Sequence, residues 1–169
     1  MKILVPIDGS EYSIKALKYA ISLIRGIGYA SEIAKNGTDE IILVNVLPHF
    51  HMPLGFEKTM KSLKTDKPIS VTEYISEMNE MIKQEWIDRL GDLKKQYKDD
   101  KIHLRTELLM GSHSSRTIAA SITKFASEEK VDMIVIGNVG LGGISKIKSL
   151  GSVSRNVAEI SSCPVLIVH

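Results

Sequence analysis

The chain has 169 residues, 43% hydrophobic and 25% charged, which suits one domain with a full core and excludes intrinsic disorder. Twenty-two Lys and Arg against 20 Asp and Glu leave a net charge of +2, too weak a field to argue for nucleic acid. The single cysteine, Cys163, excludes a disulfide framework and suits a reducing compartment.

Residues 2–7 form an unbroken, β-rich apolar run stopped by Asp8-Gly9-Ser10, and a run without alternation predicts a strand buried on both faces. Ser10 is a helix cap, and Ile14, Leu17, Ile21 and Ile24 follow at helical steps. Gly26 and Gly28 are expected to interrupt that helix, with residues 29–35 adding a turn or two before Asn36-Gly37. Residues 41–47 predict a second buried strand, closed by Pro48. Residues 48–70 carry Pro53, Gly55 and Pro68 and read as a long connection, with Lys58, Lys61, Lys64 and Lys67 solvated on it. A long helix is predicted over 72–98 on the stripe Ile75, Met78, Ile82, Trp86, Leu90, Leu93 and Tyr97, with Gly91 its weak point.

Residues 102–109 alternate as a third strand, less apolar and so nearer a sheet edge. Gly111-Ser112 turns into a helix carrying Ile118, Ile122 and Phe125, and residues 131–136 predict a fourth strand. Then come Gly137, Gly140, Gly142, Gly143 and Gly151, a short helix on Val153, Val157 and Ile160, and Pro164 before the last strand, 165–168. This alternation of strands and helices predicts an α/β fold, a parallel sheet with helices on both faces. No secretory signal opens the sequence and no apolar run approaches a membrane span, so a cytoplasmic location without a membrane partner is expected.

In an open parallel sheet, ligands sit beyond the carboxyl ends of the strands. Five glycines follow strand four, either as a flexible connection or as a phosphate cradle. Their spacing favours the cradle: Gly137 closes the strand, Gly140 lies three residues on, and Gly151-Ser152 opens a helix. Glycines let backbone N–H groups approach a phosphate, and a helix N-terminus adds unpaired donors. Ser152 and Ser154 bring hydroxyls to the same end. No Walker A, GxGxxG or GxSxG pattern is present at the required place. Strand three ends on Leu109-Met110 and the last strand on Val168-His169, where a response regulator would carry Asp and Lys. Asp8 has two readings of equal weight: a contact to ribose or a divalent cation, or a turn and cap carboxylate.

Smaller features read more blandly. Lys146 and Lys148 lie in the glycine loop and are taken as solvated. Arg155 could reach an anion or a surface carboxylate. His49 and His51 make an incomplete metal site, and His113 is a surface residue near a helix start. Met52, Met60, Met78, Met81 and Met110 read as gap fillers, and Cys163 as packed.

Val5-Pro6-Ile7-Asp8-Gly9-Ser10 resembles the opening of the universal stress proteins. The stretches 136–143, 150–154 and 163–168 resemble their closing third, and the element order matches over the whole chain. The resemblance implies a five-stranded parallel sheet of order 3-2-1-4-5, Rossmann-like, in one domain over 1–169, with ATP between strands one and four. Carried over by position, Pro6 and Ile7 would line the base and sugar pocket, and Val46 would meet adenine through its backbone. Asp8 would meet the ribose and the Mg or Mn at the phosphates, and Gly137, Gly140, Gly151, Ser152, Val153 and Ser154 would hold the phosphates. One departure stands out. Ten residues, 141–150, separate Gly140 from Gly151, where the family pattern has nine.

The leading expectation is an ATP-binding stress-response module with slow or no hydrolysis, no convincing general base being visible. Val165 to Val168, apolar and at the sheet edge in the family order, predict a homodimer. The alternative is a nucleotide-independent dimeric interaction protein of the same fold. An adenylating enzyme of the related hydrolase fold ranks last, because Asp8-Gly9-Ser10 stands where its Ser-Gly-Gly loop would be.

Overall fold

The computed structural model describes residues 1–30, 39–48, 50, 58–111, 114–140 and 150–169. Seven strands and four helices are present among them, in the order β1 (Lys2–Pro6), α1 (Glu11–Ala30), β2 (Asp39–Pro48), β3 (Thr59–Lys61), β4 (Pro68–Ser70), α2 (Val71–Gln96), β5 (Ile102–Gly111), α3 (Ser115–Glu128), β6 (Met133–Gly137), α4 (Ser152–Ile160) and β7 (Val165–Val168). Five strands form a parallel sheet in the order β5-β2-β1-β6-β7. With β3 and β4 set aside, this is the expected 3-2-1-4-5.

Alternate residues of each central strand feed opposite layers, as the strand period of two requires. Ile3, Val5, Ile41 and Leu43 meet Leu17, Ala20, Ile24 and Leu90, from α1 and α2. Leu4, Ile42, Val44 and Ile134 meet Ala119, Ile122, Ala126 and Val157, from α3 and α4. Burial on both faces explains the unbroken apolar runs.

Five details differ from the sequence expectation. Helix α1 passes through Gly26 and Gly28 without a break. A helical glycine costs only about 1 kcal/mol against alanine, less than the packing of the α1 face contributes. Arg25 also ties the end of α1 to Asp99, at 2.6 Å, just before β5. The 48–70 connection contains an antiparallel hairpin, β3 with β4. Ser62, its buried pivot, donates to Glu77 on α2 at 2.8 Å and accepts from the backbone of Lys64 and Thr65. The four lysines are exposed there, as expected, although Lys61 lies within β3 and Lys64 pairs with Glu80. Helix α2 starts at Val71, fixed by a capping box between Ser70 and Glu73, and runs through Gly91. Strand β6 starts at Met133, because Val131 still closes α3: its N–H donates to Ala126 O while Lys130 takes the left-handed turn, φ 52. The methionines correct in part as well. Met60, Met81 and Met110 are exposed and fill no gap.

The topology opens the sheet at one place. Strands β1 and β2 pair over five residues, whereas β1 and β6 pair only as Ile3 with Met133 and Leu4 with Ile134. Beyond those pairs the two strands part, and the chain runs away from β1 on opposite sides. This is the switch point at which doubly wound sheets form crevices.

Candidate functional site

At the parting of β1 and β6 lies a cavity of about 390 Å³, within the size range of small-molecule sites. All ten residues singled out on the sequence line it: Pro6, Ile7, Asp8, Val46, Gly137, Gly140, Gly151, Ser152, Val153 and Ser154. Eight more were not anticipated, among them Ser10, Ser13, Asn45, Ile118 and Ile122. Asn45 had a legible signal, as the one polar residue inside the 41–47 run. The isoleucines had none, since their helical spacing reads as core.

The β1–α1 turn is tightly specified. Ile7 N–H donates to Val44 O at 2.7 Å, and Ile7 O accepts from Asn45 Nδ2 at 2.7 Å. Asp8 Oδ1 accepts from Ser10 N–H at 2.9 Å. Gly9 takes φ +83, the left-handed region that favours glycine. Ser10 Oγ caps α1 by accepting from Ser13 N–H at 3.1 Å. Asp8 is therefore a turn carboxylate in fact, and the same carboxylate faces the cavity.

The β6–α4 segment closes the other side. Asn138 O accepts from Gly151 N–H and from Ser154 Oγ, each at 2.7 Å. Gly151 begins α4 with no side chain of its own to cap it, so the first-turn N–H groups have no side-chain cap among the described residues. Ser154, 3% exposed, commits its hydroxyl proton to this internal bridge. Ser152 is exposed at the helix mouth. Arg155 donates to Leu150 O at 3.3 Å and so braces the helix entry, rather than a surface carboxylate.

At Gly137 and Gly151 a Cβ would meet the chain's own backbone, and at Gly140 only the end of a side chain. A Cβ on Gly137 would stand 2.7 Å from the Tyr12 carbonyl carbon, one on Gly151 2.9 Å from Asn138 O, and one on Gly140 2.6 Å from Asp8 Oδ2. The last distance means that the Asp8 carboxylate occupies the room that Gly140 leaves.

Among the described lining residues Asp8 is the only ionisable side chain. The lining combines apolar side chains, from Pro6, Val44, Val46, Ile118, Ile122 and Ile136, with Asp8, four serines and the α4 N-terminus. No group of three or more His, Cys, Asp or Glu that could hold a metal ion exists among the described residues. Cys163 is half-buried against the α3–α4 layer. Residues 141–149, with Gly142, Gly143, Lys146, Lys148 and the extra spacer residue, lie outside the described residues, as do His49, His51, Met52 and His113.

Comparison with known proteins gives one consistent family. The model of the universal stress protein family matches residues 1–169. Universal stress protein MJ0531 of Methanocaldococcus jannaschii is 31% identical over 99% of this chain and 81% of its own length. Universal stress protein YxiE of Bacillus subtilis is 31% identical over 99% of this chain and 98% of its own. The solved structure of MJ0577, also from M. jannaschii, superposes with a TM-score of 0.70 at 26% identity, covering 99% of this chain and 94% of that one. A family member from Arabidopsis thaliana, solved with AMP bound, shares the fold with a TM-score of 0.56 at 14% identity, covering 99% and 90%.

Proposed function

We propose that this chain, which belongs to the universal stress protein family, binds ATP with a divalent cation in the cavity between β1 and β6, as a single domain over 1–169. The make-up of that lining carries the reading: apolar side chains that suit a base together with a helix N-terminus, begun by Gly151, that suits phosphates. AMP in the Arabidopsis relative supports a nucleotide as the ligand class.

In this reading Pro6 and Ile7 line base and sugar, and the Val46 backbone reads the adenine edge. Asp8 bonds the ribose and faces the metal–phosphate region. The backbones of Gly137, Gly140, Gly151, Ser152, Val153 and Ser154 hold the phosphates. Ser154 acts through its N–H, because its hydroxyl proton is engaged by Asn138 O. The single carboxylate suits Mg²⁺ or Mn²⁺, since magnesium is bound through one or two carboxylates together with phosphate and water oxygens. The bound cation would neutralise phosphate charge, which no described lining side chain does. With Asp8 the sole candidate base among those residues, ATP is a ligand whose occupancy sets partner contacts, and turnover is slow. The cytoplasm is the expected location; no described helix is long and apolar enough to cross a membrane.

One observation favours the second reading, a nucleotide-independent interaction protein. Gly137 and Gly151 are explained by close approach of the chain's own backbone, without a phosphate. Acid release of nucleotide from freshly purified protein, with calorimetry of ATP and magnesium, separates the two. Bound ATP and a measurable affinity are expected. Asp8→Ala is expected to weaken binding by about tenfold or more, the value of a charged hydrogen bond, and to reduce its magnesium dependence. Absence of both nucleotide and binding would give the second reading.

A further inference from the structure

We propose that Trp86 is a positioning residue for the site: it backs the Asp8–Gly9 turn from helix α2 and holds the Asp8 carboxylate toward the cavity. This rests on the nucleotide reading above. A Cβ on Gly9 would stand 3.7 Å from Trp86 Cη2 and 3.6 Å from Arg89 Nη1. The indole edge and the guanidinium thus lie directly over the one described glycine with positive φ. Arg89 is itself held over the indole, 5.5 Å from the ring centroid, and pairs with Glu85 one turn back.

The turn is short and has two sides. Its front presents Asp8 to the cavity. Its rear, at Gly9, faces Trp86 and Arg89 of α2, while Asn45 of β2, which also lines the cavity, holds the Ile7 carbonyl through Nδ2 at 2.7 Å. Asn45 Oδ1 is buried and has no partner among the described residues, where the amide is held through Nδ2 on Ile7 O. Helix α2 gives no described residue to the cavity lining. Its influence on a ligand is therefore indirect, and this turn is one route for it. The carboxylate has little slack in front, because Oδ2 fills the space beside Gly140. Removing the rear wall lets the turn recede and moves the carboxylate out of register with a phosphate-bound cation.

Trp86 is the only tryptophan in the chain, so its emission reports on this turn. The test compares the full-length wild type with Trp86→Leu and Trp86→Phe by calorimetry with ATP plus magnesium, ATP without metal, and adenosine, beside thermal melting. Trp86→Leu is expected to lose about three- to tenfold in ATP–magnesium affinity, the scale of contact coupling. Its metal dependence should be blunted and its adenosine affinity kept; Trp86→Phe should recover much of the loss. Wild-type emission should shift on adding ATP with magnesium, and less so in Asp8→Ala saturated with ATP. A general packing defect would lower all three affinities together and would overturn the proposal. So would Trp86→Phe and a folded Trp86→Leu that both bind as wild type with an unchanged magnesium effect. If Trp86→Leu does not fold, the emission comparison decides, and an unresponsive wild-type emission at saturating ATP counts against Trp86. A wild type that binds no ATP removes the nucleotide reading itself, and this role with it.

Discussion

Gly140 has no room for a methyl group, and the atom in the way is Asp8 Oδ2, 2.6 Å from where a Cβ would be. Gly140→Ala should therefore displace the carboxylate and weaken ATP binding by roughly tenfold, much as loss of the charged contact would. If that is the mechanism, Gly140→Ala added to Asp8→Ala should cost far less than it does alone, a coupling that a double-mutant cycle by calorimetry measures. Strictly additive losses would place the requirement for Gly140 on the ligand instead. Gly151 differs, because its Cβ would meet backbone, Asn138 O at 2.9 Å and Val139 Cα at 3.3 Å, which cannot swing aside. Gly151→Ala is expected to lower folding stability by about 1–3 kcal/mol, as overpacking does, in denaturant titrations without nucleotide. A valine there cannot serve as a clean test of phosphate binding. Asp8, Gly137 and Gly140 were legible because they lie at or just past a strand end, and Gly151, Ser152 and Ser154 because they open a helix, whereas Pro6, Ile7, Val46 and Val153 came only through the family resemblance. The sequence could not say whom the glycines serve, since a close approach by phosphate and one by the chain's own carbonyl demand the same missing Cβ. Only distances separate them.

Elements β1, β2, β5 and α3 are pinned together at the far end of the sheet by a charged network. Arg105 on β5 lies 2.6 Å from Glu129, which ends α3, and 3.4 Å from Glu40 on β2; Lys2 on β1 reaches Glu129 at 3.2 Å. The Arg105 guanidinium, with help from Lys2, holds the Glu129 carboxyl below the ordinary carboxylate range. A lowered folded-state pKa contributes stability above the unfolded value, about 4.3 for Glu, and that stability is lost as pH falls through the folded value. Glu129→Gln should therefore melt roughly 2–4 °C below wild type at neutral pH, corresponding to ~1 kcal/mol for a partly exposed pair in a chain of this size. The gap should close as the pH drops below the ordinary carboxylate range; a gap that persists into acid would point to packing. None of this network was read from the sequence, because its members are far apart along the chain and join only through sheet order. The same limit hid the β3–β4 hairpin. Its strands have three residues each, and its anchor is Ser62 on Glu77 of α2, a contact with no local pattern. Buried strands and amphipathic helices, whose signals are periodic and local, were legible almost throughout.

The whole molecule leaves β7 at one edge of its sheet, with Val165 and Ile167 packed on one layer and Leu166 and Val168 on the other. Both faces of this strand are therefore engaged, and what remains open is its outer line of N–H and C=O groups, a ready template for another strand. We propose that a second copy of the chain pairs there, antiparallel about a two-fold axis, which makes the contact self-complementary. The ladder decides how to test this. The carbonyls of Pro164 and Val168 accept from Ile134 and Asn138 N–H on β6, at 2.9 and 2.8 Å. Strand alternation then turns the N–H of Leu166 toward β6 and those of Val165 and Ile167 outward. Leu166→Pro would strip a bond from within the sheet and report on folding. Ile167→Pro removes no bond to β6, only an outward donor at a position that an edge strand tolerates, together with part of the Ile167 packing on the α3–α4 layer. Sedimentation at micromolar concentration is expected to give a dimer for the wild type and a folded monomer for Ile167→Pro, with thermal melting of the variant confirming its fold. A monomeric wild type, or an Ile167→Pro protein that stays dimeric, would move the partner surface away from β7.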